Sequence, residues 1–323
     1  MTDNCPACGG ERTGRWRTAA PAGPSRREAR RSYQLDRCAD CGTAWVASRQ
    51  SSAERRDLHS EGSYPPLPRA SAILLEPLKR LAVRDRLRFL PSLRPGARVF
   101  DVGTGDGRLL VALARRGYAV SGAEPYRAAS VVAGRPDVPV LRSTLEDLTI
   151  PHRSQDAIIL WHVLEHLPDP EAALRRVLAW TVPGGTVVVA VPNAASVQAR
   201  MGGDRWFQQD VPRHLLHFTP RGLTELLQRA GFEIRRSRQL VLDQSLFAMW
   251  QTLLNRLTRE PNVAFALVRR QLPQPGRAVA AYDVAITAVA GLALLVPAVI
   301  MELAAAARGA GGSIVAEAVA PRE

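Results

Sequence analysis

The chain has 323 residues, 46% hydrophobic and 23% charged, a balance that excludes disorder along its whole length. That length admits one large α/β domain with smaller attachments, or two modest domains. The formal charge is +13 and, with Lys79 the only lysine, it is almost wholly arginine. Guanidinium suits phosphate or anionic lipid, yet an arginine-preferring genome leaves the same mark, so the charge names no partner.

The first residues, Met1-Thr2-Asp3-Asn4-Cys5-Pro6, lack the basic-then-apolar pattern of a secretion signal, so a cytoplasmic location is expected. The four cysteines form two Cys-x-x-Cys pairs, Cys5/Cys8 and Cys38/Cys41, each followed by glycine. In a reducing compartment that spacing points to metal, and four thiolates suffice for one tetrahedral zinc; redox thiols are the alternative. Residues 1–50 are too few and too polar to bury a core without such a staple. Arg12, Arg15, Arg17, Arg26, Arg27, Arg30 and Arg31 surround the pairs, which leaves open a zinc-ribbon module for nucleic acid. With Trp16 and Tyr33 the only aromatics before the second pair, a role in shaping an acceptor pocket is preferred, and nucleic acid is not an expected partner. Residues 51–69 read as a linker, on the strength of the Pro- and Gly-rich run Ser60 to Pro68.

Residues 70–242 alternate helical and apolar strand patterns, the signature of a parallel sheet covered by helices. A helix is expected between Ile73 and Leu90 and a first strand over Arg98 to Asp101. A helix from Arg108 to Arg116 and strands Ala119 to Ala123, Val138 to Leu141, Ala157 to Trp161 and Thr186 to Val191 follow. Asp169 caps a helix with Pro170 at its first position, and Pro183-Gly184-Gly185 turns into the strand at Thr186. A helix over Arg221 to Ala230 leads to a strand over Phe232 to Leu240. Residues 243–311 form an apolar insert, and Ser313 to Val319 within 312–323 completes the sheet. Val284 to Met301 is 18 residues without a charge, close to the roughly 20 that a span needs. One simple crossing would strand the last strand outside, so the insert is read either as membrane-associating or as an internal helical lid. Arg269, Arg270 and Arg277 are placed to meet anionic headgroups in the first case.

The chemistry sits in Asp101-Val102-Gly103-Thr104-Gly105-Asp106-Gly107. A Gly-rich turn after a buried strand lets backbone approach a ligand, and the helix start beyond it offers free N–H groups. The spacing is G-x-G-x-G, whereas dinucleotide sites use G-x-G-x-x-G and the third glycine there would fall on Arg108. A nicotinamide-dependent oxidoreductase is therefore the alternative rather than the first reading. Glu124, in Ala123-Glu124-Pro125, ends the second strand where a carboxylate can take both ribose hydroxyls.

Loop, helix, strand and terminal acid in that order resemble the class I S-adenosylmethionine-dependent methyltransferases. The resemblance covers Arg98 to about Leu240 and the last strand. It implies a Rossmann-like, seven-stranded, mostly parallel sheet with helices on both faces, and S-adenosylmethionine as cofactor. By it, Asp101 and the backbone of Gly103, Thr104, Gly105 and Gly107 hold the methionine end, and Glu124 with Pro125 the ribose. Ser143 to Leu148 resembles the segment beside adenine; Thr144 stands where many relatives carry an acid, and Thr144 with the Leu145 backbone are assigned that contact. Trp161-His162-Val163-Leu164-Glu165-His166 resembles the turn after the fourth strand, with Trp161 and His162 flanking the sulfonium. Arg213-His214-Leu215-Leu216-His217-Phe218 resembles an Arg-His-x-x-x-Phe segment at the acceptor pocket. It makes His214, with His162, a candidate catalytic group, as general base or acceptor orienter. Asn193, Arg205, Trp206 and Phe207 are expected in the same cleft. Glu165, His166 and His214 are also similar to the metal-binding set of small-RNA 3′-terminal methyltransferases, with His162 in place of a further glutamate. The cysteine pairs resemble N-terminal zinc-binding segments of some bacterial methyltransferases, including sugar C-methyltransferases, and a similar apolar insertion precedes the final strand in some bacterial relatives. The resemblance implies a small-molecule or lipid-like acceptor; oligomeric state stays open.

Overall fold

In the computed structural model, residues 4–21, 32–48, 50–59, 73, 75–126, 132, 135–269 and 277–322 are described. The arginines at 26, 27, 30, 31 and 270 and the linker residues 60–69 lie outside them.

The chain opens with strands β1 (Thr13–Ala19), β2 (Tyr33–Cys38) and β3 (Ala44–Val46), then helices α1 (Ser52–His59) and α2 (Glu76–Arg86). Next come β4 (Arg98–Val102), α3 (Arg108–Ala114), β5 (Ala119–Ala123), β6 (Val140–Leu141) and β7 (Gln155–Trp161). The middle holds α4 (Pro170–Trp180), β8 (Thr181–Pro192), α5 (Val197–Gly202), β9 (Leu216–His217), α6 (Pro220–Arg229) and β10 (Glu233–Arg238). Helices α7 (Leu242–Asn255), α8 (Val263–Arg269) and α9 (Arg277–Ala307) form the insert before β11 (Ser313–Val319).

The central sheet runs β10-β11-β8-β7-β4-β5-β6. Only β11 is antiparallel to its neighbours, so the sheet is the mostly parallel one expected. Strand order reverses between β4 and β7, and the crevice beyond their carboxyl ends is where such sheets bind ligands. Each central strand is buried on both faces, which explains continuous runs such as Val187 to Val191. Ile158 and Leu160 face Leu174, Val177 and Leu223, whereas Ala157, Ile159 and Trp161 face Leu109, Leu113 and Phe89.

Helix α4 starts as predicted, with Asp169 accepting from the Ala172 nitrogen at 3.0 Å ahead of Pro170. Strand β8 begins earlier than predicted: Pro183-Gly184-Gly185 lies inside Thr181–Pro192, with the register shift to β7 falling before Thr186. Helix α2 is shorter than the apolar spacing suggested, ending before a turn through Phe89 and Leu90.

A second, antiparallel sheet of order β1-β2-β3-β9 joins the N-terminal segment to the core, Ala44 pairing with His217 and Trp45 with Leu216. Thr219 Oγ1 donates to the Cys41 carbonyl at 2.6 Å, and Arg229 donates to the Ala7 carbonyl at 3.0 Å. The segment predicted as a small unit of its own therefore shares a sheet with the chain just after His214. Residues 52–59, predicted as linker, are helical.

Candidate active site

The loop after β4 bends through left-handed conformations at Gly103, Gly105 and Gly107. At Gly105 (φ 58°) a side chain would be strained by the backbone alone, and no atom lies within 4 Å of where its Cβ would stand. That bare backbone borders a cleft of about 340 Å³. Glu124, buried at the end of β5, accepts from the Gly105 nitrogen at 2.9 Å and from the Tyr126 nitrogen at 3.2 Å. Loop and acid thus form one unit, with the carboxylate fixed at the cleft wall.

Gly103, Gly105, Glu124, Pro125, Thr144 and Leu145 line the cleft. Thr144 Oγ1 donates to Asp147 at 2.7 Å and accepts from the Asp147 nitrogen at 3.3 Å, which closes its turn beside the cleft. Asp101 and Thr104 are buried just behind, and neither Asp101 Oδ1 nor Thr104 Oγ1 has a partner among the described residues. Burial raises the Asp101 pKa to about 7, helped by Glu124 and opposed by Arg86.

His162, His166, Arg213 and His214 line the same cleft, with Val163 packed against Gly103. His162 adopts a positive φ of 54°, turning the chain at the end of β7. Its Nδ1 lies 2.9 Å from Oε1 of the fully buried Glu165, while His162 Nε2 and Glu165 Oε2 have no partner among the described residues. Burial disfavours the Glu165 charge, but the imidazoles of His162, His166 and His214 outweigh it and bring its pKa to about 2. His214 Nδ1 donates to the Gln208 carbonyl at 2.8 Å and His166 Nδ1 to the Arg213 carbonyl at 2.9 Å. A carbonyl only accepts, so Nδ1 carries a proton in both rings, and a neutral ring then keeps its lone pair on Nε2. The two rings are 4.9 Å apart. One ligand atom each from Glu165, His166 and His214 lies within 4.8 Å of the others, a set able to share a cation.

Trp161 corrects the expectation that it flanks the methyl donor. Side chains alternate along β7, so it points with Ala157 and Ile159 to the opposite face, 5.7 Å from the Phe89 ring. Asn193, Arg205, Trp206 and Phe207 are likewise absent from the cleft wall. Asn193 donates to the Gly311 carbonyl, Arg205 to the Asn255 and Thr258 carbonyls, and Phe207 packs on Phe247. The insert supplied partners that a polar loop reading did not contain. Conversely, Arg55 and Asp210 line the cleft and were not singled out. Asp210 pairs with the buried Arg213; burial opposes its charge, but Arg213 holds its pKa well below the carboxylate range. The Asp-x-x-Arg spacing of Asp210 and Arg213, beside the His segment, was the available signal.

At the other edge, Cys5 Sγ lies 3.6 Å from Cys41 Sγ and Cys8 Sγ 3.5 Å from Cys38 Sγ. All four sulfurs fall within 4.8 Å of one another. Tetrahedral zinc with Zn–S bonds of roughly 2.3 Å spaces its sulfurs by roughly 3.8 Å, so the set fits that ion. The Gly10 and Asp40 nitrogens each point at a sulfur from 3.3 Å, as thiolates in knuckle turns require.

A mostly parallel sheet with a Gly-rich loop, a strand-terminal acid and a histidine-lined cleft at its carboxyl edge defines an α/β enzyme handling a nucleoside-like ligand. A family model described as a methyltransferase domain matches residues 74–237, just over half of the chain, and the chain belongs to that family. It is 30% identical over 170 residues to a ubiquinone biosynthesis O-methyltransferase of Escherichia coli O9:H4 (strain HS), a stretch covering 50% of this chain and 64% of that protein. Against the mitochondrial ubiquinone biosynthesis O-methyltransferase of Arabidopsis thaliana it is 26% identical over 193 residues, 55% of this chain and 60% of the relative. The matched stretch covers less than two thirds of either relative's length. Among solved structures, the [4+2]-cyclase SpnF aligns with a TM-score of 0.49 at 23% identity, over 76% of this chain and 81% of that one.

Proposed function

We propose that this chain is an S-adenosylmethionine-dependent enzyme that methylates an oxygen of a small, lipid-like acceptor. The observation that carries the reading is the His162–Glu165 pair at the cleft, a buried carboxylate bonded to Nδ1 of an imidazole whose Nε2 has no partner among the described residues. S-adenosylmethionine supplies a methyl on a positively charged sulfur that departs as a neutral sulfide. The protein then has two tasks, holding the reactants in line and taking a proton.

Glu165 fixes the His162 tautomer, leaving the lone pair on Nε2, and stabilises the imidazolium once it forms. The acceptor hydroxyl gives its proton to His162 Nε2 as its oxygen takes the methyl. His214, oriented by the Gln208 carbonyl, accepts a hydrogen bond from the acceptor and aligns it. Asp101 and the backbone of Gly103, Thr104, Gly105 and Gly107 hold the methionine end, Glu124 and Pro125 the ribose, and Thr144 and Leu145 the adenine. Arg55 brings a positive charge to the cleft wall, while Arg213 there is paired with Asp210. A second reading places a divalent cation on Glu165, His166 and His214, favoured by their 4.8 Å clustering; activity abolished by chelator and restored by magnesium or manganese would decide for it.

Cys5, Cys8, Cys38 and Cys41 hold a structural zinc. The outward apolar helix of the 243–311 insert supports a membrane-associated enzyme with an acceptor drawn from lipid. Family membership sets aside the nicotinamide-dependent oxidoreductase, and the second knuckle is tied to the start of α6 by the bond from Thr219 to the Cys41 carbonyl. The test is methylation of a lipid extract by the full chain with isotopically labelled donor. The expected product is an extract component heavier by one labelled methyl in place of hydrogen, formed by wild type and not by His162→Asn. If dinucleotide binds the cleft and S-adenosylhomocysteine does not, the reading fails.

A further inference from the structure

Helix α9 is inside out: its polar residues face the protein and its apolar ones face away. Asp283, Thr287, Gly291, Ala298, Glu302 and Ala305 are its buried positions, a stripe at helical spacing. Asp283 accepts from the Arg259 and Glu260 nitrogens at 2.8 and 3.0 Å. Glu302 accepts from the Gly312 nitrogen at 2.6 Å and from Gln198 Nε2 at 2.9 Å. Midway, Trp250 Nε1 donates to the Gly291 carbonyl at 2.7 Å. On the opposite face Val289 and Leu292 are 75% and 76% exposed, and Val296, Ile300 and Leu303 continue the row. Only 17% of the most apolar 18-residue window is buried. A helix facing water carries the reverse arrangement.

The fold also says how this face can meet hydrocarbon. Both buried carboxylates tie α9 to one body, and β11, five residues beyond α9, lies between β8 and β10 inside the central sheet. A crossing would place the ends of α9 on opposite sides of roughly 30 Å of hydrocarbon, which these ties forbid. The helix must lie in the surface plane. Arg256 and Arg259 stand exposed beside its first turns, the latter 4.8 Å over the Tyr282 ring, and Arg308 stands exposed just past its end. A second copy on the same face would set these arginines against one another in an antiparallel pairing, whereas anionic headgroups complement them.

We infer that α9 docks this protein, in plane and without crossing, on an anionic lipid bilayer. The docking deepens the membrane-associated reading above, and its test does not depend on methyl transfer. The insert leaves the sheet at Arg238, opposite Val315, and returns at Ser313, opposite Pro192. That is the carboxyl edge that also carries the cleft. Helix α7 lies between, with Phe247 5.3 Å from Phe207, whose turn supplies the carbonyl that orients His214.

Flotation of the full chain with vesicles of phosphatidylglycerol and phosphatidylcholine, or of phosphatidylcholine alone, tests it. Wild type floats with the anionic vesicles and at least tenfold less with the neutral ones. The triple variant Leu292→Gln, Val296→Gln, Ile300→Gln loses binding by at least tenfold, with melting temperature and S-adenosylhomocysteine affinity unchanged. Single variants Val289→Trp, Val296→Trp and Leu303→Trp, seven residues apart on one face, are quenched equally by lipids brominated at one depth. A spanning helix would separate neighbours by roughly 10 Å and quench them unequally. Wild type that does not float, a triple variant that floats as well, equal binding to both vesicle types, unequal quenching, or a dimer that the triple variant abolishes would each overturn the inference. Failure to bind S-adenosylhomocysteine would instead sink the methyl-transfer reading and leave docking intact.

Discussion

His162 Nδ1 and Glu165 Oε1 stand 2.9 Å apart, one residue turning the chain at the end of β7 and the other wholly buried beneath it. The pair stays local because a three-residue 3₁₀ turn, Leu164–His166, folds the carboxylate back under the imidazole. The buried charge persists because three imidazoles surround it.

Glu165→Gln keeps an acceptor for Nδ1 but removes the charge that stabilises a protonated ring. Its kcat is expected to fall by roughly 10²–10⁴, the usual contribution of a positioned base, and His162→Asn by a similar factor. Single-turnover rates measured alongside S-adenosylhomocysteine titration separate this from a cofactor effect. An equal loss of affinity and rate would assign the pair to cofactor binding.

The Glu124–Gly105 bond makes a second prediction. Glu124→Ala leaves the Gly105 and Tyr126 nitrogens without their carboxylate and removes the ribose partner. Hydrogen bonds to charged groups contribute about 1.5–3 kcal/mol each, so S-adenosylhomocysteine affinity should fall roughly a hundredfold or more by calorimetry. Glu124→Gln should lose less, since its amide oxygen still accepts.

Much of this was legible because the cofactor half is built from local signals. Strand β5 and strand β11 fall on their predicted residues, and Gly105 and Glu124 meet because β4 and β5 are adjacent and in register. What stayed hidden depends on distant partners. β1 reads Thr-Gly-Arg-Trp-Arg-Thr-Ala with most residues outward, so it has no apolar alternation to betray a strand. Arg205 and Phe207 look like cleft residues until α7 arrives to occupy them, and Trp161 looks like one until the alternation along β7 sends it to the buried opposite face.

Asp101 gives a pH prediction. Its pKa, raised to about 7 from the model-peptide value of 3.8, means the folded chain holds a proton that the unfolded chain has lost between those two values. Stability from this group is thus fullest below pH 3.8 and declines as pH rises to about 7, by on the order of 4 kcal/mol in all. Asp101→Asn should flatten that decline in melting curves taken from pH 5 to 8. A ligand ammonium beside Asp101 favours its charged form, so S-adenosylhomocysteine should bind more tightly from pH 6 to 8, with proton release seen by calorimetry in buffers of different ionisation enthalpy. A pH-independent affinity would place the ammonium elsewhere.

The cysteine cluster should govern the acceptor end and leave the donor end alone. Its second knuckle rests on the start of α6, where Thr219 Oγ1 donates to the Cys41 carbonyl and also accepts from the Gly222 nitrogen at 3.0 Å. A Cβ at Gly222 would stand 2.0 Å from Thr43 Oγ1, so knuckle and helix touch without slack. From there β3 pairs with Leu216 and His217, two residues beyond His214, while Arg17 on β1 donates to Gln209, the neighbour of the carbonyl that orients it. Gly103 and Gly105, with Glu124, share none of these contacts. Purified protein is therefore expected to carry one zinc per chain by elemental analysis. Cys38→Ser, or chelation, should lower the melting temperature by on the order of 10 °C, the effect of losing a few kcal/mol in a domain this size. The acceptor KM should rise while S-adenosylhomocysteine affinity holds, and Gly222→Ala should repeat that split with its zinc retained. If affinity for S-adenosylhomocysteine fell in parallel with the acceptor effect, the knuckles would be supporting the whole fold rather than one wall of the cleft.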